Sequence, residues 1–146
     1  MHFKKLGQKY ILAINKEEEI VKILTDFAKA ENTKLVTISA IGALNSAIIG
    51  YYELSTKSYH WKDFSGDLEV TSLLGNIALF KGEQFIHAHI DISNENLDVF
   101  GGHIKQAIVG GTLEVVIELV EGEIQRKFND EIGLNLMDFY NESKNS

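Results

Sequence analysis

The chain has 146 residues, 45% hydrophobic and 24% charged, a composition typical of one folded domain and unlike that of a disordered chain. It contains no cysteine, which excludes disulfides and thiolate metal sites, so any transition metal must be held by His, Asp or Glu. Fourteen basic against twenty-one acidic residues give a net charge of −7, which disfavours nucleic-acid binding because that requires concentrated positive charge.

The apolar segments are short throughout the chain. The N-terminal apolar run at residues 10–14 is too short for a signal-peptide core, and no segment approaches the about 18 residues of a membrane-spanning helix. We therefore expect a cytoplasmic protein with no membrane contact. We also expect a single domain over residues 1–140, followed by a polar tail at residues 141–146.

The first elements along the chain are predicted to be strands and one helix. Residues 2–14 read as one or two strands. Asn15 is a good N-cap, and Glu18 follows it at the spacing of a capping box. Apolar residues then recur at helical spacing, which predicts a helix from Lys16 to about Asn32.

After this helix the hydrophobic period changes to two, which indicates strands. The predicted strands lie at residues 34–43, 46–54, 59–64, 68–80, 84–93, 104–109, 111–120 and 123–128. Gly75 is a candidate bulge, and Gly122 is expected to turn a hairpin into the last strand. One helix with about eight consecutive strands predicts an α+β fold with an antiparallel or mixed sheet, which could curl into a barrel.

Three histidines form the strongest chemical pattern in the sequence. In the predicted strand at 84–93, alternation places His87 and His89 on one face, while the opposite face is uniformly apolar. A turn at the glycine pair 101–102 would bring His103 back alongside them. Three imidazoles with an open fourth position are typical of a catalytic zinc site. The alternative is that these are surface or hydrogen-bonded histidines. His2 and His60 have no comparable context, and we expect both at the surface.

Two carboxylates and two bases lie in positions that could serve such a site. Glu69 and Glu114 each interrupt an apolar strand, and either could be a fourth ligand, a hydrogen-bond partner of a ligand, or a general base. The alternative is that both lie on a solvent face of the sheet. Lys105 and Arg126 could meet an anionic ligand, although isolated bases are usually solvated.

Several segments resemble one known family. The segment H-A-H-I-D-I-S at 87–93 with V-F-G-G-H-I at 99–104 resembles the Plants and Prokaryotes Conserved domain, and so do residues 38–52, 66–79 and 110–117. The resemblance covers about residues 3–130. It implies a strongly curved, mainly antiparallel sheet similar to that of acetolactate decarboxylase, with one main helix near the N-terminus.

The same resemblance carries expectations about assembly and function. It implies a homotrimer of the type that stands alone in prokaryotes, with a zinc or similar divalent ion held by His87, His89 and His103. A small anionic or carbonyl ligand could bind at the ion, as substrate or otherwise. A DNA-associated regulatory role is the alternative, but the chain lacks an AT-hook and has Asp67 where the plant pattern has arginine. A third possibility is an assembly module in which the metal is purely structural.

Overall fold

The architecture is a single curved sheet with one helix packed on it. A computed structural model describes residues 1–139, so the predicted tail at 141–146 lies outside the described residues. The elements in chain order are β1 His2–Leu6, β2 Lys9–Asn15, α1 Ile20–Ala30, β3 Val36–Glu53, β4 Ser58–Phe80, β5 Glu83–Ser93, β6 Val99–Leu119, β7 Gln125–Asn129 and β8 Leu134–Asp138. The expected α+β class, with a mainly antiparallel sheet and a helix near the N-terminus, is confirmed.

Four long strands pair in a closed ring. Strand β3 pairs with β4 and β6, and β5 pairs with the other edges of the same two strands. All four ladders are antiparallel. The β1–β2 hairpin extends the ring from β6, and the β7–β8 hairpin extends it from the end of β4 through a short parallel pairing. The curvature expected from the sequence therefore arises from strands that close on one another.

Helix α1 covers the apolar inner face of this sheet. Its buried residues Ile20, Leu24 and Phe27 belong to the same core cluster as Ile90 and Ile92 of β5. These β5 residues are on the face that alternation predicted to be apolar. No helix within residues 1–139 has the length and hydropathy needed to cross a membrane.

The helix begins four residues later than predicted. The Glu18 carboxylate accepts a hydrogen bond from the Asn15 backbone N–H at 2.7 Å, as a capping box requires. This bond closes a turn that precedes the helix and does not form the first turn of the helix itself. Glu17 has a φ of 69°, and its N–H donates to the carbonyl of Val109 in β6. Because this backbone pairs with the sheet, the helix starts at Ile20, and the side chain of Glu19 caps it.

Three pairs of predicted strands are continuous in the structure. Residues 34–54, 59–80 and 104–120 were each predicted as two strands, yet each belongs to one long strand. Register shifts in the β3 ladders, at Ala40/Gly42 and Leu44/Ser46, bend the chain without ending the strand. In β3, small residues that often occur in turns, such as Gly42 and Ser46, lie at bends within a continuous strand.

The region after β6 also differs from the prediction. Gly122 has a φ of 107° but does not form a hairpin with β6, because the following strand β7 pairs in parallel with Leu79 and Phe80 of β4. Strand β8 was not predicted; it completes a hairpin with β7. Both strands contribute side chains to the candidate site.

Gly75 lies in a regular ladder and not at a bulge. It pairs with Ile38 on one side and Ala88 on the other without a register shift, which instead falls between Val70 and Ser72. A Cβ at position 75 would lie 2.6 Å from the Ala88 Cβ and 2.7 Å from the His87 carbonyl oxygen. Glycine is therefore required by the close approach of β4 and β5.

Gly75→Ala should lower the free energy of unfolding by about 1–3 kcal/mol, because the added methyl group overlaps packed backbone atoms. Gly111→Ala is the matched control, since its Cβ would meet only the Ala43 Cβ at 3.7 Å. Urea denaturation of both variants measures the difference. Equal stability of the two variants would contradict the packing argument.

Candidate metal centre

Two of the three histidines project from the same face of β5. His87 and His89 alternate with Ala88 and Ile90, which are buried in the core. His89 is exposed. Because Ala88 and Ile90 are buried on the inner face of β5, both imidazoles lie on its outer face.

The third histidine arrives on the neighbouring strand. β6 runs antiparallel to β5, and His103 lies directly opposite His89 in the ladder. The predicted turn at the glycine pair is wrong: Gly101 and Gly102 lie within β6, and the chain reverses earlier, in the loop at 94–98. There the side chain of Asn94 accepts hydrogen bonds from two backbone N–H groups of its own loop.

Glycine is needed at position 102 for a different reason. A Cβ there would lie 2.5 Å from the backbone oxygen of Gly50 in β3. This close approach lets β6 lie between β3 and β5, so that His103 pairs with Gly50 on one edge and with His89 on the other. The β5–β6 ladder ends at this pair, so His87 lies beyond it and is not paired with β6.

The three rings converge on one point. Their centroids are 5.4 Å apart for His87–His89, 5.4 Å for His87–His103 and 5.5 Å for His89–His103. One nitrogen from each ring lies within 4.8 Å of the other two, so this histidine triad could hold a metal ion. Ligand nitrogens around a tetrahedral zinc are about 3.3 Å apart, given zinc–nitrogen bonds of about 2.0 Å.

The ring nitrogens of the triad have no competing partner in the described chain. Within residues 1–139 they make no hydrogen bond, whereas the ring of His60 bonds to a carboxylate oxygen of Glu53 at 2.9 Å. Tyr59 lies against the His103 ring at 5.0 Å and stacks in turn on Trp61. These aromatic rings pack beside His103 and leave its nitrogens available.

Burial keeps two of the imidazoles neutral. It lowers the pKa of His103 to about 4, with smaller contributions from the other two histidines. Burial also lowers the pKa of His87, assisted by the positive charge of Arg126 and by His89. Neutral imidazole is the form that binds metal, so at neutral pH these rings need not lose a proton first.

A cavity of about 290 Å³ opens beside the triad. It is bounded on one side by triad residues and on the other by the β7–β8 hairpin. Its lining residues are Tyr59, Phe85, His87, His103, Arg126, Phe128, Gly133, Leu134, Asn135 and Leu136. A mostly apolar concave wall with a few polar groups is typical of a small-molecule site.

The two carboxylates proposed from sequence lie away from the triad. Glu69 is exposed and pairs with Ser93, four positions along β5 from His89, which is about 13 Å. Glu114 is exposed near the other end of β6, opposite Ala13 of β2. Within residues 1–139, neither joins the group that could hold a metal, a placement that fits the solvent-face alternative.

Of the two alternatives left open for Arg126, an anionic ligand or a solvated side chain, the structure does not support the solvated one. Its side chain is 7% exposed and lines the cavity together with His87 and His103. Its burial was not predicted, because the strand that follows it, β8, was not recognised in the sequence. Asn135 of β8 and Tyr59 were also not identified as cavity residues, and no motif marks either one.

The curved antiparallel sheet and the convergent imidazoles define a small α+β protein with a candidate metal centre. A sequence model of the Plants and Prokaryotes Conserved (PCC) domain matches residues 1–121, and the chain therefore belongs to this family. The resemblance found in the sequence motifs is thereby confirmed. The β7–β8 hairpin follows the matched region.

Several solved structures are similar over almost the whole chain. A candidate DNA-binding protein from Bacteroides thetaiotaomicron is 35% identical, with a TM-score of 0.92 over 94% of this chain and 96% of its own. A plant- and prokaryote-conserved protein from Pyrococcus horikoshii is 35% identical, with a TM-score of 0.84 over 94% of each chain. A metal-containing protein from Archaeoglobus fulgidus is 30% identical, with a TM-score of 0.82 over 94% and 98%. No curated protein matches the chain.

The expected likeness to acetolactate decarboxylase holds at the level of fold. The enzyme from Bacillus subtilis gives a TM-score of 0.51 at 15% identity, covering 80% of this chain and 54% of its own. At this identity the likeness concerns the arrangement of strands and carries no activity to this chain.

The metal-free protein should lose stability as the pH falls from 6.5 towards about 4, because unfolded His103 takes up a proton in this range and the folded residue does not. The contribution is fully present above pH 6.5. His103→Gln should flatten this part of the profile, which urea denaturation across the range measures. An unchanged slope in the variant would contradict the lowered pKa.

Proposed function

We propose that this PCC-domain protein binds a zinc or similar divalent ion through His87, His89 and His103, and that a small molecule binds at that ion. The observation that carries the proposal is the convergence of three imidazole nitrogens, without hydrogen-bond partners within residues 1–139, beside a cavity. The metal content in the name of the Archaeoglobus relative agrees with it.

The donor set fits zinc and similar ions. Imidazole suits zinc, copper, iron and nickel, and three neutral ligands leave the full charge of the ion available to a further ligand. Structural zinc usually has four protein ligands. Since the described residues bring together three, the site favours an open, ligand-binding or catalytic ion over an assembly module. Such an ion would act as a Lewis acid on a bound oxygen or activate water.

A trimer is the second part of the proposal. The outer face of the sheet exposes large apolar side chains, among them Ile41 at 59% and Leu74 at 61%. Ile11 of β2 joins them around a shallow apolar depression. Exposed apolar patches of this kind mark association surfaces, and we assign this one to the contact between subunits of the homotrimer that the sequence resemblance implies. Leu74 lies opposite His89 in the β4–β5 ladder, so the patch reaches the triad.

DNA binding is the competing function, suggested by the name of the Bacteroides relative. The charge of this chain gives it little support. The net charge is −7, and the single arginine is buried in the cavity wall, where it cannot reach a phosphate backbone. The metal-centred role therefore accounts for more of the structure.

Untagged protein, purified without a nickel column and supplied with zinc, should contain about one zinc per chain by elemental mass spectrometry. His87→Ala with His89→Ala should remove most of it, because one imidazole alone binds weakly. His60→Ala is the matched control, since His60 is exposed and paired with Glu53. Equal and negligible metal in wild type and the double variant would refute the metal site.

Wild-type protein should sediment at three times the mass of the chain in analytical ultracentrifugation. Ile41→Glu with Leu74→Glu should shift it to monomer, because two carboxylates would be buried without partners. Leu54→Glu, at a residue 62% exposed outside this patch, should remain trimeric. A monomeric wild type, or a double variant that stays trimeric, would contradict the proposed assembly.

A further inference from the structure

The only arginine of the chain is buried beside the histidine triad. Arg126 lies on β7 and is 7% exposed, and no carboxylate within residues 1–139 comes within ion-pair distance of it. A buried charge without a counter-charge is costly, and burial accordingly lowers the pKa of Arg126. An anion bound in the cavity would remove this cost.

The guanidinium is held in place by neutral groups only. One terminal nitrogen donates to the Asn135 carbonyl at 2.9 Å, the other to Oδ1 of Asn76 at 2.7 Å, and Nε–H has no partner. A guanidinium has five N–H donors, so three are unused. Asn76 pairs with His87 across the β4–β5 ladder, which fixes the charge next to the triad.

The β7–β8 hairpin, which carries Arg126, is attached to the rest of the sheet at both its turn and its base. At its turn, the Tyr52 hydroxyl donates to the Ile132 carbonyl at 2.8 Å, and Lys57 Nζ donates to the Asp130 carbonyl at 2.6 Å. At its base, β7 pairs with the end of β4. The hairpin is thus tied to the β3–β4 turn and to β4, and it forms a fixed wall opposite the histidines.

A second polar group in this wall is also without a partner. Oδ1 of Asn135 is buried and makes no hydrogen bond within the described chain, and Asn135 lines the cavity with Arg126. Apart from Gly133, the remaining hairpin residues of the wall are apolar: Phe128, Leu134 and Leu136. The hairpin wall of the cavity therefore offers one cation and one amide among apolar side chains.

We propose that this cavity binds a small organic carboxylate, with the carboxylate on Arg126 and the rest of the ligand directed towards the ion at the histidine triad. The proposed contact between the ligand and the ion depends on the proposed function. The proposed contact between the ligand and Arg126 does not depend on it. Arg126 positions and selects the ligand, and the triad supplies the metal.

The chemistry of the wall favours a carboxylate over a phosphate. The planar guanidinium matches the two oxygens of a carboxylate, and a single positive charge balances a single negative one. Phe85 lies against the guanidinium, with the ring centre 5.3 Å from its carbon. The apolar side chains that border this cavity of about 290 Å³ suit a short hydrocarbon body, which inorganic phosphate lacks.

The single arginine makes a direct test possible. In ¹⁵N-labelled protein, the one arginine side-chain N–H signal belongs to Arg126 without ambiguity. Titration with butanoate of the metal-free chain, where no zinc competes for the carboxylate, and then of the zinc-loaded chain should move this signal in a saturable way, whereas the uncharged isostere butanamide should leave it in place. No movement with butanoate, or equal affinity for butanoate and inorganic phosphate, would overturn the proposal.

Variants separate this site from the metal site. Arg126→Gln should keep its zinc and weaken butanoate binding by about tenfold or more, the effect of losing a charged hydrogen bond. Lys127→Gln, exposed on the same strand, is the matched control and should bind as wild type does. Butanoate affinity unchanged in Arg126→Gln would refute the role of Arg126.

The two proposals can fail separately. If the wild-type chain binds no zinc, the proposed function fails, but butanoate titration of the metal-free chain still reports on Arg126 through its own signal. If zinc binds and that signal does not respond, the carboxylate site fails alone. The wild-type titration also remains informative should Arg126→Gln not fold.

Discussion

The pairing of His89 with His103 across β5 and β6 is the constraint on which the candidate site depends. A one-residue slip of this ladder would turn every side chain of one strand to the other face and would separate the two imidazoles. The register is fixed by the core, because Ile90 and Ile92 must remain under helix α1. The free energy that buries the apolar face thus also positions the histidines on the outer face.

Local sequence patterns were sufficient to predict which face of a strand a side chain occupies. Alternation in β5 correctly placed His87 and His89 together above a buried apolar face, and one helix among many strands correctly indicated the fold class. The convergence of His103 was also anticipated, although for a wrong local reason. Its position depends on the ladder between β5 and β6 and on the close approach at Gly102, not on a turn at the glycine pair.

Tertiary contacts decided the features that the sequence did not reveal. Glu17 leaves the helical conformation because its backbone pairs with β6. Glycine is required at position 75 because β5 approaches closely there, which the residues around Gly75 in the sequence do not indicate. The cavity wall is the clearest case: Arg126 is an ordinary isolated base in sequence, and only the β7–β8 hairpin, anchored to the β3–β4 turn, makes it a buried cation beside the triad.

X-ray absorption at the zinc edge of the loaded, untagged protein tests the central claim most directly. The account predicts three imidazole nitrogens at about 2.0–2.1 Å together with a further light ligand such as water. Scattering from fewer than three imidazoles would contradict it, because the three rings would then not share one ion. A fourth imidazole would equally contradict an open position beside the cavity.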